Sequence, residues 1–142
     1  MYTYKIQSIN RIVDGDTVDV TLDLGFDILL NQRVRLAGID SPEKRTRNKL
    51  EKQLGLDATS WLTNKLNSAT TILIKTSIDG SFGKYGRVLG WLFINDDDVS
   101  LNDLMIKEGY AWVYDGGAKE KNFDHLIQIR KQNNTIEEKT LV

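Results

Sequence analysis

The stretch Thr17-Val18-Asp19-Val20-Thr21-Leu22-Asp23-Leu24 puts an apolar side chain at every second position and a polar one between. That period belongs to a strand with one face on a core and one in water; a helix repeats its apolar stripe every three to four residues. Upstream, Tyr4 to Val13 reads as a partner strand, joined through the turn Asp14-Gly15-Asp16. Downstream, Gly25 punctuates the chain and Ile28 to Ile39 reads as a third strand. Val34 and Leu36 share one of its faces and Arg33 and Arg35 the other, so two guanidinium groups are expected to project together from rigid backbone.

Ala58, Trp61, Leu62, Lys65 and Leu66 then fall at helix spacing, ending near Asn67-Ser68. Two more strands, Ile72 to Ile74 and Val88 to Ile94, flank a loop from Asp79 to Gly86 that contains Gly80, Gly83 and Gly86. A short helix is expected to start within Ser100-Leu101-Asn102-Asp103 and run through Glu108, with Ser100 or Asn102 as N-cap and Gly109 as C-cap. A third, amphipathic helix covers Phe123 to Lys131, before a polar tail from about residue 133 that is expected to fray. The order points to one domain over residues 1–142, α+β but predominantly β: a five-stranded Greek-key barrel of the OB type with about three flanking helices. Periodicity alone also fits other small α+β arrangements.

Composition narrows the chemistry. With no cysteine and a single histidine, His125, the chain has no thiol nucleophile, no Cys-ligated or His-rich zinc site and no His-based triad. His125 and the tryptophans Trp61, Trp91 and Trp112 read as packing or surface residues. No window approaches the roughly 18 apolar residues of a membrane span, and no apolar export segment opens the chain. The expectation is a monomer without membrane contact, cytoplasmic as it stands or secreted if a leader has been removed. Nineteen Lys and Arg against twenty Asp and Glu leave a formal charge of -1, yet Lys44, Arg45, Arg47, Lys49 and Lys52 crowd one stretch. That stretch, directly after Glu43, is expected to form a mobile loop that guides a phosphate backbone, whereas Asp96 to Asp98 read as solvated surface.

Three segments gather polar residues at strand ends: Asp14-Gly15-Asp16-Thr17, Arg35 through Asp40-Ser41-Pro42-Glu43, and Lys84-Tyr85-Gly86-Arg87. Asp16 and Asp40 suit a hard divalent cation, which takes oxygen ligands. Arg35 and Arg87 suit a phosphate, which their planar forks grip in pairs. Glu43, just past the tight Ser41-Pro42 step, suits a residue that orients or deprotonates water. Together they describe a phosphodiesterase, with cation and arginines stabilising charge on phosphorus-bound oxygens and the glutamate preparing the nucleophile. Each segment alone is an ordinary turn or surface; the joint occurrence carries the reading.

I-V-D-G-D-T-V at Ile12 to Val18, V-R-L-A-G-I-D-S-P-E at Val34 to Glu43, G-K-Y-G-R at Gly83 to Arg87 and L-N-D-L-M-I-K-E-G-Y-A-W at Leu101 to Trp112 resemble the staphylococcal nuclease (thermonuclease) family. The resemblance implies an OB-type barrel and calcium-dependent, largely sequence-nonspecific cleavage of DNA and RNA to 5'-hydroxyl and 3'-phosphate ends. It further implies Asp16 and Asp40 as carboxylate calcium ligands, Ser41 as a ligand through its backbone carbonyl where the family commonly has Thr, and Arg35, Glu43 and Arg87 as the catalytic trio. Lys84 and Tyr85 match residues that contact the nucleotide's phosphate, and Tyr114 one that packs by the base. Single strands are the expected preferred substrate, by analogy with OB grooves. The near-neutral charge argues against tight nonspecific binding at physiological salt. The alternative reading is a non-catalytic nucleic-acid-binding OB module.

Overall fold

A computed structural model describes residues 2–76, 88–118 and 121–133. The chain runs β1 (Tyr2–Asp14), β2 (Thr17–Asp23), β3 (Leu29–Leu36), β4 (Ile39–Asp40), α1 (Lys49–Ser68), β5 (Ile72–Thr76), β6 (Val88–Ile94), α2 (Leu101–Lys107), β7 (Trp112–Val113) and α3 (Phe123–Gln132). Five strands close a barrel in the order β1-β2-β3-β6-β5, with β3 and β6 parallel and the other pairs antiparallel. This is the expected predominantly β, OB-type arrangement with three helices. Closure leaves the barrel no open edge. The long β1 spans both neighbours because its register against β2 shifts between Ile6 and Ser8, Ile9 and Arg11, and Ile12 and Asp14; such bulges bend and twist a strand around a barrel.

The alternation in β2 is realised directly: Val18, Val20 and Leu22 are buried, and with Ile6, Val34, Leu36, Ile74 and Leu92 they fill the barrel. From α1, Ala58, Trp61, Leu62 and Leu66 join the same core. Among the described residues no helix is long and apolar enough to cross a membrane.

Two elements differ from the sequence reading. The third strand does not continue to Ile39: it ends at Leu36, and the chain turns at Gly38, whose φ of 76° suits glycine. Ile39–Asp40 then pairs with Trp112–Val113 in a separate two-stranded ribbon. The apolar phase set by Val34 and Leu36 slips at Ala37-Gly38 and returns at Ile39, a shift that marks the corner and that reading Ile28 to Ile39 as one strand passes over. Likewise, Lys44 to Lys52 is not one loop. The side chain of Asn48 accepts the Glu51 amide at 3.0 Å and caps α1, which places Lys49 and Lys52 on its first turn. The inward face of that turn begins with a buried acid, Glu51, so it lacks the apolar signal that would have announced a helix.

α2 is capped by Ser100, whose hydroxyl accepts the Asp103 amide at 3.0 Å, and Gly109 follows with φ 84°. Asn102 has a different task. Buried, it donates to the carbonyls of Ala37 and Gly90 at 2.8 and 3.0 Å and accepts the Leu92 amide at 3.1 Å. It thereby fixes the exit from β3 against β6, the point from which the chain departs toward Asp40. His125 is exposed on α3, and the expected polar tail beyond Asn133 lies outside the described residues.

Candidate active site

At the Arg35 end of β3 the outer face of the barrel is covered by chain rather than water. The β1–β2 turn, the segment after Gly38 and the strand β7 meet there. In the turn, the Asp14 carboxylate accepts the Asp16 amide at 3.1 Å, the local side-chain bond that favours Asp in such turns. Gly15 is required by proximity: a Cβ there would lie 2.8 Å from Ala58 Cβ and 2.9 Å from Ser41 Cβ.

Arg35 is only 7% exposed, and its guanidinium stands between two buried carboxylates. Its Nη1 is 3.4 Å from Asp16 Oδ2 and its Nη2 3.6 Å from Asp40 Oδ1. Both separations exceed ordinary charge-assisted hydrogen-bond lengths of about 2.7–2.9 Å. Arg35 Nη1 also donates to the Leu36 carbonyl at 3.1 Å. Asp16 is held by its other neighbours: Oδ1 accepts from the Thr17 hydroxyl at 2.9 Å, and Oδ2 accepts from the Ser41 amide at 3.1 Å and the Ser41 hydroxyl at 3.2 Å. The hydroxyl that Ser and Thr share therefore has a visible partner here, a role that the sequence reading, attending to the Ser41 carbonyl, does not contain. Tyr114, its amide bonded to the Gly38 carbonyl at 2.9 Å, brings its ring within 6.0 Å of the Arg35 guanidinium carbon.

The titration of the acids registers a surplus of negative charge. Burial, followed by repulsion from the Asp16 carboxylate, pushes Asp14 up to about 7, with Glu43 adding a smaller push in the same direction. For Asp16 burial acts upward too, but the Arg35 charge and the bonds from Asp14, Ser41 and Thr17 outweigh it and hold this carboxyl below its ordinary value. Asp14 is a participant that the sequence reading passed over as a turn residue. Its position two residues before Asp16, across a glycine, is the signal that could have found it.

The structure thus brings together Asp16, Arg35, Asp40, Ser41 and Tyr114 of the expected set, with the exposed Glu43 close enough to influence Asp14 electrostatically. Lys84, Tyr85 and Arg87 lie outside the described residues. Among the described residues no three carboxylate or imidazole groups form a ready metal cage. The donor set nevertheless fits a hard cation: two buried carboxylates flank one guanidinium, further acids stand beside them, and water or main-chain oxygen can complete the six to eight ligands that calcium takes. Arg33, by contrast, leaves the site. It makes a two-pronged pair with Asp19 at 2.7 and 2.9 Å on the open surface, so the two guanidinium groups do not act together.

A barrel of this topology with acids around a covered arginine at the end of β3 defines a class that comparison with known proteins makes specific. The family model described as staphylococcal nuclease homologue matches residues 33–141. An uncharacterized endonuclease of Escherichia coli is 30% identical over 119 residues, covering 84% of this chain and 65% of that protein. The SPbeta prophage-derived endonuclease YokF of Bacillus subtilis is 32% identical over 124 residues, 87% of this chain and 38% of its own length. A thermonuclease of Staphylococcus intermedius is 32% identical over 104 residues, 72% of this chain and 56% of its own. The chain belongs to the staphylococcal nuclease family, and it spans less than two thirds of the length of these relatives.

Proposed function

We propose that this chain is a calcium-dependent nuclease that hydrolyses phosphodiester bonds of DNA and RNA, single strands preferentially, to 5'-hydroxyl and 3'-phosphate ends. The observation that carries the reading is the covered Arg35 guanidinium between the Asp16 and Asp40 carboxylates at 3.4 and 3.6 Å. A buried cation with two loose anionic contacts keeps donors available for a phosphate.

Asp16, Asp40 and the Ser41 carbonyl would hold the calcium ion, which when bound supplies Lewis-acid stabilisation of charge on the phosphate oxygens. Ser41 and Thr17 keep the Asp16 carboxylate oriented through the bonds given above. Arg35 and Arg87 grip the phosphate and stabilise its growing charge, without transferring a proton, because guanidinium stays protonated. Glu43 orients a water and accepts its proton as the water attacks phosphorus; the bond from phosphorus to the 5'-oxygen breaks, and that oxygen takes a proton from solvent to leave as the 5'-hydroxyl. Lys84 and Tyr85 contact the phosphate, and Tyr114, already beside Arg35, packs by the base.

Incubating the protein with single-stranded DNA and RNA in calcium, with and without chelator and beside Glu43→Gln, tests this. Cleavage should require the ion, leave 3'-phosphate ends and fall about 100-fold or more in the variant, the usual scale for a lost general base. Binding to these strands without cleavage would instead assign the chain to non-catalytic OB modules. Cleavage that persists through both chelation and substitution would remove this site from the reaction.

A further inference from the structure

Gly55 sits well inside the 20-residue helix α1. After proline, glycine is the poorest helix former, and an interior position asks for a packing reason. The reason is visible. A Cβ on Gly55 would stand 2.7 Å from the carbonyl carbon and oxygen of Glu43 and from the amide nitrogen of Lys44. These are backbone atoms, with no rotamer by which to retreat. One turn earlier on the same face, Glu51 is 9% exposed. Its Oε2 lies 3.5 Å from the Glu43 amide nitrogen, a long contact, and 3.1 Å from the Lys121 ammonium. One turn later, Ala58 meets the close approach of Gly15. Positions 51, 55 and 58 are spaced i, i+4, i+7 and so form one stripe. The Asp14–Asp16 turn and the segment carrying Glu43 both rest on it.

We propose that Gly55 is a positioning residue for Glu43: its missing side chain lets the Glu43–Lys44 peptide seat directly on α1, while Glu51, tied to Lys121, holds the Glu43 amide. The inference rests on the role given to Glu43 above. A methyl group at position 55 would have to push that peptide out by about 0.8 Å to reach an ordinary carbon contact of about 3.5 Å. Misplacement on this scale costs about 100-fold where a reaction depends on aligned groups.

Three variants of the full chain test it: Gly55→Ala, Glu51→Gln, which keeps an acceptor oxygen, and Glu51→Met, which removes it. Gly55→Ala should lower kcat about 100-fold with KM within about threefold and shift the Glu43 and Lys44 amide resonances in NMR spectra, while the about 1 kcal/mol that alanine gains as a helix former offsets part of the cost of displacing the peptide. Glu51→Gln should keep the parent resonances and most of kcat, whereas Glu51→Met should move the same amides and lower kcat further. A folded Gly55→Ala with unmoved Glu43 and Lys44 amides or an unchanged kcat would overturn the proposal. So would Glu51→Met matching Glu51→Gln in both readouts, the deciding pair should Gly55→Ala fail to fold. A parent protein that cleaves nothing would sink the functional reading alone, and the amide shifts would still decide whether α1 seats the Glu43 peptide.

Discussion

Arg33 and Arg35 are two residues apart on one face of one strand, and each has acid close by, Asp19 of β2 for the first and Asp16 of the β1–β2 turn with Asp40 of β4 for the second. Arg33 meets Asp19 with both prongs at 2.7 and 2.9 Å and is about half exposed. Arg35 is covered, and its contacts to Asp16 and Asp40 are longer, at 3.4 and 3.6 Å. The first pair is saturated and solvated, the kind of ion pair that contributes little. In the second, two carboxylates and a guanidinium are taken out of water at longer range from one another, with Thr17 and Ser41 also bonding Asp16, and breaking up such a buried cluster by removing one charge is costly. The contrast separates a surface tie from a binding site within one strand.

The largest predicted effect breaks the contrast on its buried side. Asp16→Asn removes a charge that faces Arg35 and should weaken calcium binding by more than about 100-fold in calorimetric titration, beyond the range typical of supporting residues. Asp19→Asn, the matching change on the surface side, should leave calcium affinity unaltered. Equal losses would dissolve the distinction.

A second test asks what a saturated buried polar group is worth. Asn102 satisfies three main-chain groups at 2.8, 3.0 and 3.1 Å. Asn102→Ala strands the Ala37 carbonyl and the Leu92 amide, the Gly90 carbonyl keeping the Ala37 amide at 2.8 Å, and should cost about 3 kcal/mol in denaturant unfolding, since each buried unsatisfied group costs roughly 1–3 kcal/mol. A loss comparable to that of a surface substitution would mean that water replaces the amide there.

The acid surplus predicts a pH dependence in chelator. Asp14 is raised from 3.8 to about 7 in the folded chain, so between these values the native state holds more protons than the unfolded one. Stability should therefore fall as pH rises from about 4 through about 7. Asp14→Asn should flatten that slope. Asp16, depressed below its ordinary value, contributes at the opposite end, its stabilisation being lost as pH falls below about 4. An unchanged slope in Asp14→Asn would assign the dependence to other groups. Smallest of all, Arg33→Ala should cost less than about 1 kcal/mol.

The barrel was legible because its evidence is local and repeated. Period two in Thr17 to Leu24 specifies its strand without outside help, and the cap residues at Ser100 and Asn102 announce a helix start that the structure places after Ser100. What escaped depends on tertiary partners. Ile39–Asp40 looks like more of β3 until Gly38 turns and β7 arrives to pair. The first turn of α1 buries Glu51 rather than an apolar residue, so its amphipathic signal begins late. At the site, the acids and Arg35 could be assigned from the strand-end segments and the family motifs, but alternation alone treats Arg33 and Arg35 alike, and it is the covering of one end of the strand that separates them physically. The Ser41 hydroxyl and Asp14 were hidden for the same reason, their roles being set by a neighbour 25 residues away in the one case and by shared burial in the other.

The most direct measurement is single-turnover cleavage of an end-labelled single-stranded DNA oligonucleotide in saturating calcium by the parent chain, Arg35→Lys and Arg33→Lys. Arg35→Lys should be slower by about 100-fold or more, the scale of one lost charge-stabilising donor, and Arg33→Lys within about threefold of the parent, as suits a surface pair. Parent-like cleavage by Arg35→Lys, or equal losses in both variants, would contradict the claim that the covered arginine is the centre of the reaction.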